Sequence, residues 1–551
     1  MRRSLLVMAA VLTGLAVLGG PVMAETIEER LERMEREIRD LRAELRRRDQ
    51  TERRVAQPRP RTSAPVANSA PPTPKAAPVV VVDTAPPSAP PVVGSASAAA
   101  EPTQATGPLR GLMDRVQLGG YGSVRFEASN LKDQHDTFTY RRFVLTTDAN
   151  IAPRLRAYME LEFERFRKLE LEKTTQKNDT GGINVEQTVG GTSDSEIAFE
   201  QAWLQYEVND WVRLRAGEVL VPLGRFNLNH DDDRWDIPRR SLVDRGTPVL
   251  PVEAAWGELG AGLLGDIPVG EQGQVSYQGY VVNGLALDTE FEQVLETRQG
   301  DTTKSVVEAK VSPSTGTFGN DVKDAKAVTG RIAWSPVLGH EIAASGYYGQ
   351  YTPDYLGKED LWSAAADGRT GWGPFELEGE YVYTHFQGIK NVARALARQA
   401  VQQSAEGEQG DVETEVEFEL ANLARAKQGY WLEGRYRFWP SFLKETFLGR
   451  QFENPQLVAV VRAEQVWLNG LVEDVSFSGS RLTNFTEDNR YVARFTAGLA
   501  YRPVPLVAFQ LAYEFTMTNP GQSLSGVTNY LQAQSNEDQA SMILVGATFG
   551  F

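Results

Sequence analysis

Acids and arginines crowd one stretch of this chain, Val221 to Ala255. In that Pro-rich, polar segment Asp231, Asp232, Asp233 and Asp236 stand close to Arg225, Arg234, Arg239, Arg240 and Arg245. Opposed rows of such charges across a narrow water path create a transverse field, which orients polar solutes and admits small ions of both signs. Bond-breaking chemistry has much less support. The absence of cysteine removes a thiolate nucleophile, Cys-ligated zinc and a disulfide framework. His135, His230, His340 and His385 are the available imidazoles, and neither G-x-S-x-G nor H-E-x-x-H occurs, so no catalysis is expected. His340 and His385 fall near strand ends. His230 precedes three aspartates, but Asp231 to Asp233 lack the D-x-[DN]-x-[DN]-G pattern of a calcium loop. No metal or other cofactor is therefore expected. The net charge of -16 argues against a nucleic-acid partner.

The elements that must position these charges are strands. Between Ser541 and Phe551 the residues Ile543, Val545, Ala547, Phe549 and Phe551 share one face, and a strand that is apolar outward suits an outer-membrane barrel. From Arg154 to Glu164, Leu155, Ala157, Met159, Leu161 and Phe163 alternate with Arg154, Arg156, Tyr158, Glu160, Glu162 and Glu164. That period is two, not the 3.6 of a helix. The same rhythm sets Phe375-Leu377-Gly379-Tyr381-Tyr383 against Glu376-Glu378-Glu380, and Tyr430-Leu432-Gly434-Tyr436-Phe438 against Trp431-Glu433-Arg435-Arg437. Many strands with charge on one face require a wet lumen.

Sixteen such strands are predicted, near 116–128, 137–148, 153–164, 196–208, 211–219, 256–266, 273–283, 327–336, 340–349, 358–367, 372–384, 427–438, 456–467, 490–501, 504–516 and 541–551. Connections alternate between short turns and long loops at 165–195, 220–255, 284–326, 385–426, 468–489 and 517–540. This is the parity of short periplasmic turns and longer external loops. Aromatics beside the short turns, namely Tyr206, Trp211, Trp334, Trp439, Tyr501 and Phe551, suit an interfacial girdle.

The start of the chain reads differently. Arg2 and Arg3, the apolar run Leu5 to Leu18 and the ending Val22-Met23-Ala24 predict a secretory signal over residues 1–24. That run is too short to span ~30 Å of hydrocarbon as an anchor. Ile27, Leu31, Met34, Ile38, Leu41 and Leu45 recur at spacings of four and three within a charged background, predicting a coiled-coil helix over 25–50. A Pro/Ala-rich linker follows over 51–115. At ~3.1 Å per residue, about fifty of its residues reach on the order of 150 Å.

Several runs then resemble the phosphate-selective porin O and P family. They are RAGEVLVPLGRFN at Arg215 to Asn227, Arg239 to Arg245, Val282-Asn283-Gly284, and Arg331 to Gly349 with Trp334-Ser335-Pro336 and Ser345-Gly346-Tyr347. The resemblance spans most of 116–551 and implies a trimeric sixteen-stranded channel. In that family a ladder of lumen arginines leads to lysines at the constriction. Here the Val221–Ala255 loop has no lysine. The inward faces mix Arg125, Arg154, Arg156, Arg213, Arg215, Arg435 and Arg437 with Glu160, Glu162, Glu376, Glu378 and Glu433. A specific phosphate site is not carried over.

The expectation is an all-β transmembrane antiparallel barrel of about sixteen strands over 116–551, preceded by the short coiled-coil helix. It would be a homotrimeric outer-membrane porin passing ions and small polar solutes, anions among them. Its pore constriction would be Arg225, Asp231, Asp232, Asp233, Arg234, Asp236, Arg239 and Arg240. Its partners would be outer-membrane lipid and the barrel-assembly machinery, which reads the C-terminal Phe551. The alternative is a structural tether, with residues 25–50 in the periplasm contacting peptidoglycan.

Overall fold

Sixteen strands pair in chain order and close on themselves in the computed structural model. It describes residues 115–131, 135–165, 169–177, 183–191, 196–244, 249–252, 254–299, 302–315, 323–404, 411–418, 424–478, 481–522, 524 and 537–551. The expected signal, coiled coil and linker up to residue 114, and Arg245, lie outside the described residues. The barrel strands are β1 (Val116–Ser129), β2 (Thr137–Ala152), β3 (Leu155–Glu164), β4 (Glu196–Asn209), β5 (Val212–Leu220) and β6 (Gly257–Val269). They continue as β7 (Gly273–Val282), β8 (Ala327–Ser335), β9 (His340–Gln350), β10 (Asp360–Trp372) and β11 (Phe375–Phe386). The last five are β12 (Ala424–Phe438), β13 (Gln456–Ser478), β14 (Arg481–Val504), β15 (Val507–Thr518) and β16 (Gln539–Gly550). Each pairs antiparallel with the next. β16 returns to β1 in the register Tyr121↔Gly550 to Ser129↔Met542. Closure leaves the cylinder no unpaired edge, which is what hydrocarbon demands of a sheet.

The orientation of side chains inverts that of a soluble protein. On β15, Leu511 is 53% exposed while its strand neighbours Gln510 and Glu514 are 3% and 0% exposed. On β11, Phe375, Leu377 and Tyr381 are exposed and Glu376, Glu378 and Glu380 are buried. Apolar faces point outward and charged faces point into the barrel, the distribution a lipid solvent selects. Exposed Tyr206, Trp211, Trp334, Trp372, Phe375 and Phe551 sit toward the short-turn end, and exposed Phe138, Tyr348 and Trp362 toward the other. These are two aromatic belts, and Trp439 extends the first by stacking on Tyr501 at 6.0 Å.

Leu511 lies between Leu499 of β14 and Val545 of β16 on the outward face. Leu511→Arg is expected to destabilise the barrel in lipid by about 2–4 kcal/mol, read by urea unfolding in phospholipid bilayers. A change within about 0.5 kcal/mol would mean that this face does not meet lipid.

All sixteen predicted strands are present, but the long connections carry structure of their own. Leu169–Lys177 pairs with Ile183–Gly191, and Ala286–Gln299 with Thr302–Ser314. A helix, α1 (Ile389–Ser404), and a strand, Asp411–Phe418, occupy the connection after β11. The segment 468–489, expected as an external loop, instead continues β13 and β14 as a ladder to Ser478↔Arg481, with irregularities near Asn469 and Val472. α1 buries Ile389, Val392, Ala393, Leu396 and Ala397, a helical stripe, in a core shared with Leu471, Val472 and Val475 of that extension. The extended hairpin therefore exists because α1 gives it something to pack on.

Candidate functional site

Sixteen strands about 4.8 Å apart and tilted by about 40° enclose a backbone cylinder about 32 Å across. The connection from β5 to β6 narrows it by folding inward and touching wall strands on several sides. Its neck is tied by Asn227, whose side-chain amide donates to the carbonyls of Val221 (2.7 Å) and Trp256 (3.1 Å) and whose oxygen accepts from the Trp256 amide at 2.8 Å.

From the neck the loop first meets β9, β10 and β11. The Gly224 amide donates to Ser345 Oγ at 2.9 Å, and Gly224 has φ +70°; a Cβ there would come 2.8 Å from Glu380 Oε2. Glycine permits both the left-handed turn and the approach. The backbone amides of Arg225 and Phe226 both donate to Glu380. The Arg225 guanidinium bonds Glu378 and reaches Glu341 at 2.8 Å and Asp367 at 3.9 Å. Burial opposes its charge, yet Glu378 and Glu341 hold Arg225 more firmly protonated than usual.

The chain then crosses to β1 and β4. Ser123 donates to Asp232 at 2.6 Å. The Nδ1 atom of His230 lies 2.9 Å from the Asn227 carbonyl and its Nε2 lies 3.0 Å from Glu200 on β4. Burial alone would lower the His230 pKa, but the Glu200 and Asp231 carboxylates outweigh it and push it up to about 9. For Asp232 burial is outweighed by Arg142, Arg141 and Arg240, which hold its carboxyl below the usual range. Burial and the neighbouring Asp231 push Asp233 up to about 6.

Beyond Arg234 the loop runs along β13 to β16 and β1. Asp236 accepts from Arg502 at 2.6 Å, the Trp235 carbonyl from Gln510 at 2.7 Å, and the Pro238 carbonyl from Arg125 at 2.8 Å. Arg239 joins Glu514 of β15 at 3.0 Å and Glu127 of β1 at 2.9 Å. Arg462 donates to the Arg239 carbonyl at 2.9 Å, Arg494 to the Arg240 carbonyl, and Glu464 accepts the Leu242 amide at 3.0 Å. Arg240 pairs with Asp244 at 3.1 Å. Trp235 stacks on Phe226 at 4.8 Å and meets the edge of Trp431 at 5.4 Å, with Arg435 and Arg462 over its ring at 5.3 and 4.8 Å. Thr384 donates to the Val249 carbonyl at 2.7 Å on the way back.

The residues expected at the constriction thus share this inward loop but divide into two groups. Arg225, Asp232, Asp236, Arg239 and Arg240 are engaged with wall strands or with Asp244. Arg234, Asp231 and Asp233 remain part-exposed, with side chains 31%, 18% and 25% accessible. Among the lumen residues, Arg125, Glu160, Glu162, Glu376, Glu378, Glu433 and Arg435 are buried on inward faces, and Arg156, Arg213, Arg215 and Arg437 are partly covered. Arg154 departs from expectation. It stands exposed in the β2–β3 turn at φ 65°, donating to the Val208 carbonyl, because the two-residue turn takes it out of the strand.

Sequence reading missed Asp148, Glu200, Asp266, Arg331, Glu341, Asp367, Arg369 and Arg502. Arg156 bonds Asp148 at 2.8 Å, Arg331 bonds Asp367 at 2.7 Å, and Arg369 and Arg437 both meet Glu376 at 2.9 Å. The signal was available in the same period of two: exposed Val328, Ile332 and Trp334 on β8 put Arg331 on the inward face.

No family model matches the chain. An uncharacterized protein of Aquifex aeolicus (strain VF5) is 22% identical over 407 residues, spanning 72% of this chain and 75% of that protein. Among solved structures the chain is similar to the anion-selective porin from Comamonas acidovorans, at 10% identity and TM-score 0.42 over 79% of this chain and 99% of that one. It is also similar to Salmonella typhi OmpF in complex with daunomycin, at 9% identity and TM-score 0.43 over 79% and 97% of the two chains. The outer membrane channel DcaP of Acinetobacter baumannii is similar at 11% identity and TM-score 0.37, over 79% and 97%.

Proposed function

We propose that this chain is an outer-membrane porin: a barrel whose narrowed aqueous lumen passes ions and small polar solutes down their gradients, with a preference for anions. The observation that carries the reading is the polarity inversion of the barrel, lipid-facing Leu511 beside fully covered Glu514. A wall greasy outside and charged inside is costly unless the inside is wet or paired. The anion preference is supported by unequal exposure in the cluster around Glu376 near the short turns. The side chains of Arg369 and Arg437 are 43% and 35% accessible, whereas that of their common partner Glu376 is 7% accessible. At this cluster a solute therefore meets the cations more than the acid.

The motifs shared with the phosphate-selective porins favour a homotrimer in the outer membrane, with short turns and the N-terminal extension on the periplasmic side. Residues 1–24 would be the secretory leader. The described residues offer no support for the tether reading, since the helix it needs lies outside them.

Single-channel recording of the purified full chain in planar bilayers, with reversal potential under a salt gradient, tests the function. Absence of conductance would end it. Asp231→Asn, Asp232→Asn and Asp233→Asn together are expected to shift the reversal potential further toward anions, because Arg234, Arg142 and Arg141 lose their counter-charges. An unchanged reversal potential would place the three aspartates away from the conducting path.

A further inference from the structure

Where the inward loop meets β4, three side chains converge in a way that ion transport does not require. One carboxylate oxygen each of Glu200 and Asp231 and a ring nitrogen of His230 lie within 4.8 Å of one another. Nε2 of His230 is 3.0 Å from Glu200 Oε2 and 3.8 Å from Asp231 Oδ1. Nδ1 faces the Asn227 carbonyl at 2.9 Å, so it carries a proton there, and the Nε2 proton that Glu200 accepts at 3.0 Å is the one a metal ion would displace. An imidazole anchored through one nitrogen to a backbone carbonyl is the usual arrangement of a metal-binding histidine.

Two buried polar atoms in the same place lack hydrogen-bond partners. One is Oδ1 of Asp231, the oxygen turned to His230, and the other is the hydroxyl of Tyr121. Tyr121 is 4% exposed, and its electrostatic neighbours are Asp231, Arg142, Asp232 and Glu200. A buried orphan oxygen is costly, and a shared cation would satisfy it.

We propose that Glu200, His230 and Asp231 bind a divalent first-row transition ion, with Zn2+ as the representative species. The donor set is one neutral imidazole nitrogen and two carboxylate oxygens, which suits Zn2+ better than Ca2+, whose ligands are oxygen. Water would complete the coordination. Since Glu200 belongs to the wall and His230 and Asp231 to the loop, the ion staples the loop to β4. Without the ion, a proton on Nε2 shared toward Glu200 serves the same contact. The sequence hid the site because Glu200 stands 30 residues before His230.

The test uses the purified full-length protein in detergent, stripped with chelator and dialysed to equilibrium against Zn2+. One Zn2+ per chain is expected. His230→Gln and Asp231→Asn should each weaken it by more than about tenfold, while His340→Gln, in the short-turn rim, leaves it unchanged. Loading the wild-type protein with Cu2+ should give an electron paramagnetic resonance spectrum with coupling to a single imidazole nitrogen. Zinc binding that survives His230→Gln, no stoichiometric binding, or a copper spectrum without nitrogen coupling would each overturn the assignment. Should His230→Gln not fold, Glu200→Gln and the wild-type copper spectrum still decide it.

Discussion

Excision of residues 224–252, joined by a short Gly/Ser link, is expected to raise single-channel conductance by about an order of magnitude. An unobstructed barrel of this strand number holds a broad aqueous channel. The loop is what narrows it, held to β1, β4, β9, β11, β13, β14 and β15 by named bonds. Folding should survive, because every ladder of the cylinder closes without the loop. Glu378, Glu380, Glu341 and Asp367 lose a partner but gain water, which lowers the cost of leaving them charged. The excised segment carries five arginines and five aspartates, so the formal charge stays at -16. Size is thereby changed without net charge. Conductance equal to wild type would show that the loop does not limit the path.

How far this could be read from residues alone depended on what sets each feature. The sixteen strands were legible because lipid outside and water inside impose a period of two, and Leu161 beside Glu160 and Glu162 states it locally. The inward loop was legible as a Pro-rich segment too charged to lie idle after β5. Its partners were not, since Arg239 meets Glu514 across 275 residues and only the closed cylinder brings them together. Alternation also continues past the membrane in β13 and β14, so no local signal marked where the bilayer ends. The stripe Ile389, Val392, Ala393, Leu396 and Ala397 was an overlooked signal, and it supplies the support for that extension.

The other large effect expected is at Arg239, and its size separates two accounts of the loop's charges. If they lined an open water path, each pair would be solvent-screened and worth at most about 1 kcal/mol. The side chain of Arg239 is 3% accessible, and it bridges Glu514 at 0% and Glu127 at 9%. Arg239→Ala would take from two covered carboxylates the cation they share, leaving Glu127 with Arg125 at 2.8 Å and Glu514 with Arg494 at 3.7 Å, a loss of about 3 kcal/mol. The damage should be local. Arg462 and Arg494 still hold the carbonyls of residues 239 and 240, so the loop loosens before the cylinder opens. Recordings should show a noisier, larger conductance, and urea unfolding in lipid should reveal an early transition reported by Trp235, which packs beside this anchor. Arg239→Met combined with Glu127→Gln and Glu514→Gln should recover part of the loss, because the two carboxylate charges leave with the cation while Arg494 keeps Glu464 and Arg125 keeps the Pro238 carbonyl. A loss of 1 kcal/mol or less in Arg239→Ala would mean that water reaches these groups and that the loop is held by its aromatic contacts instead.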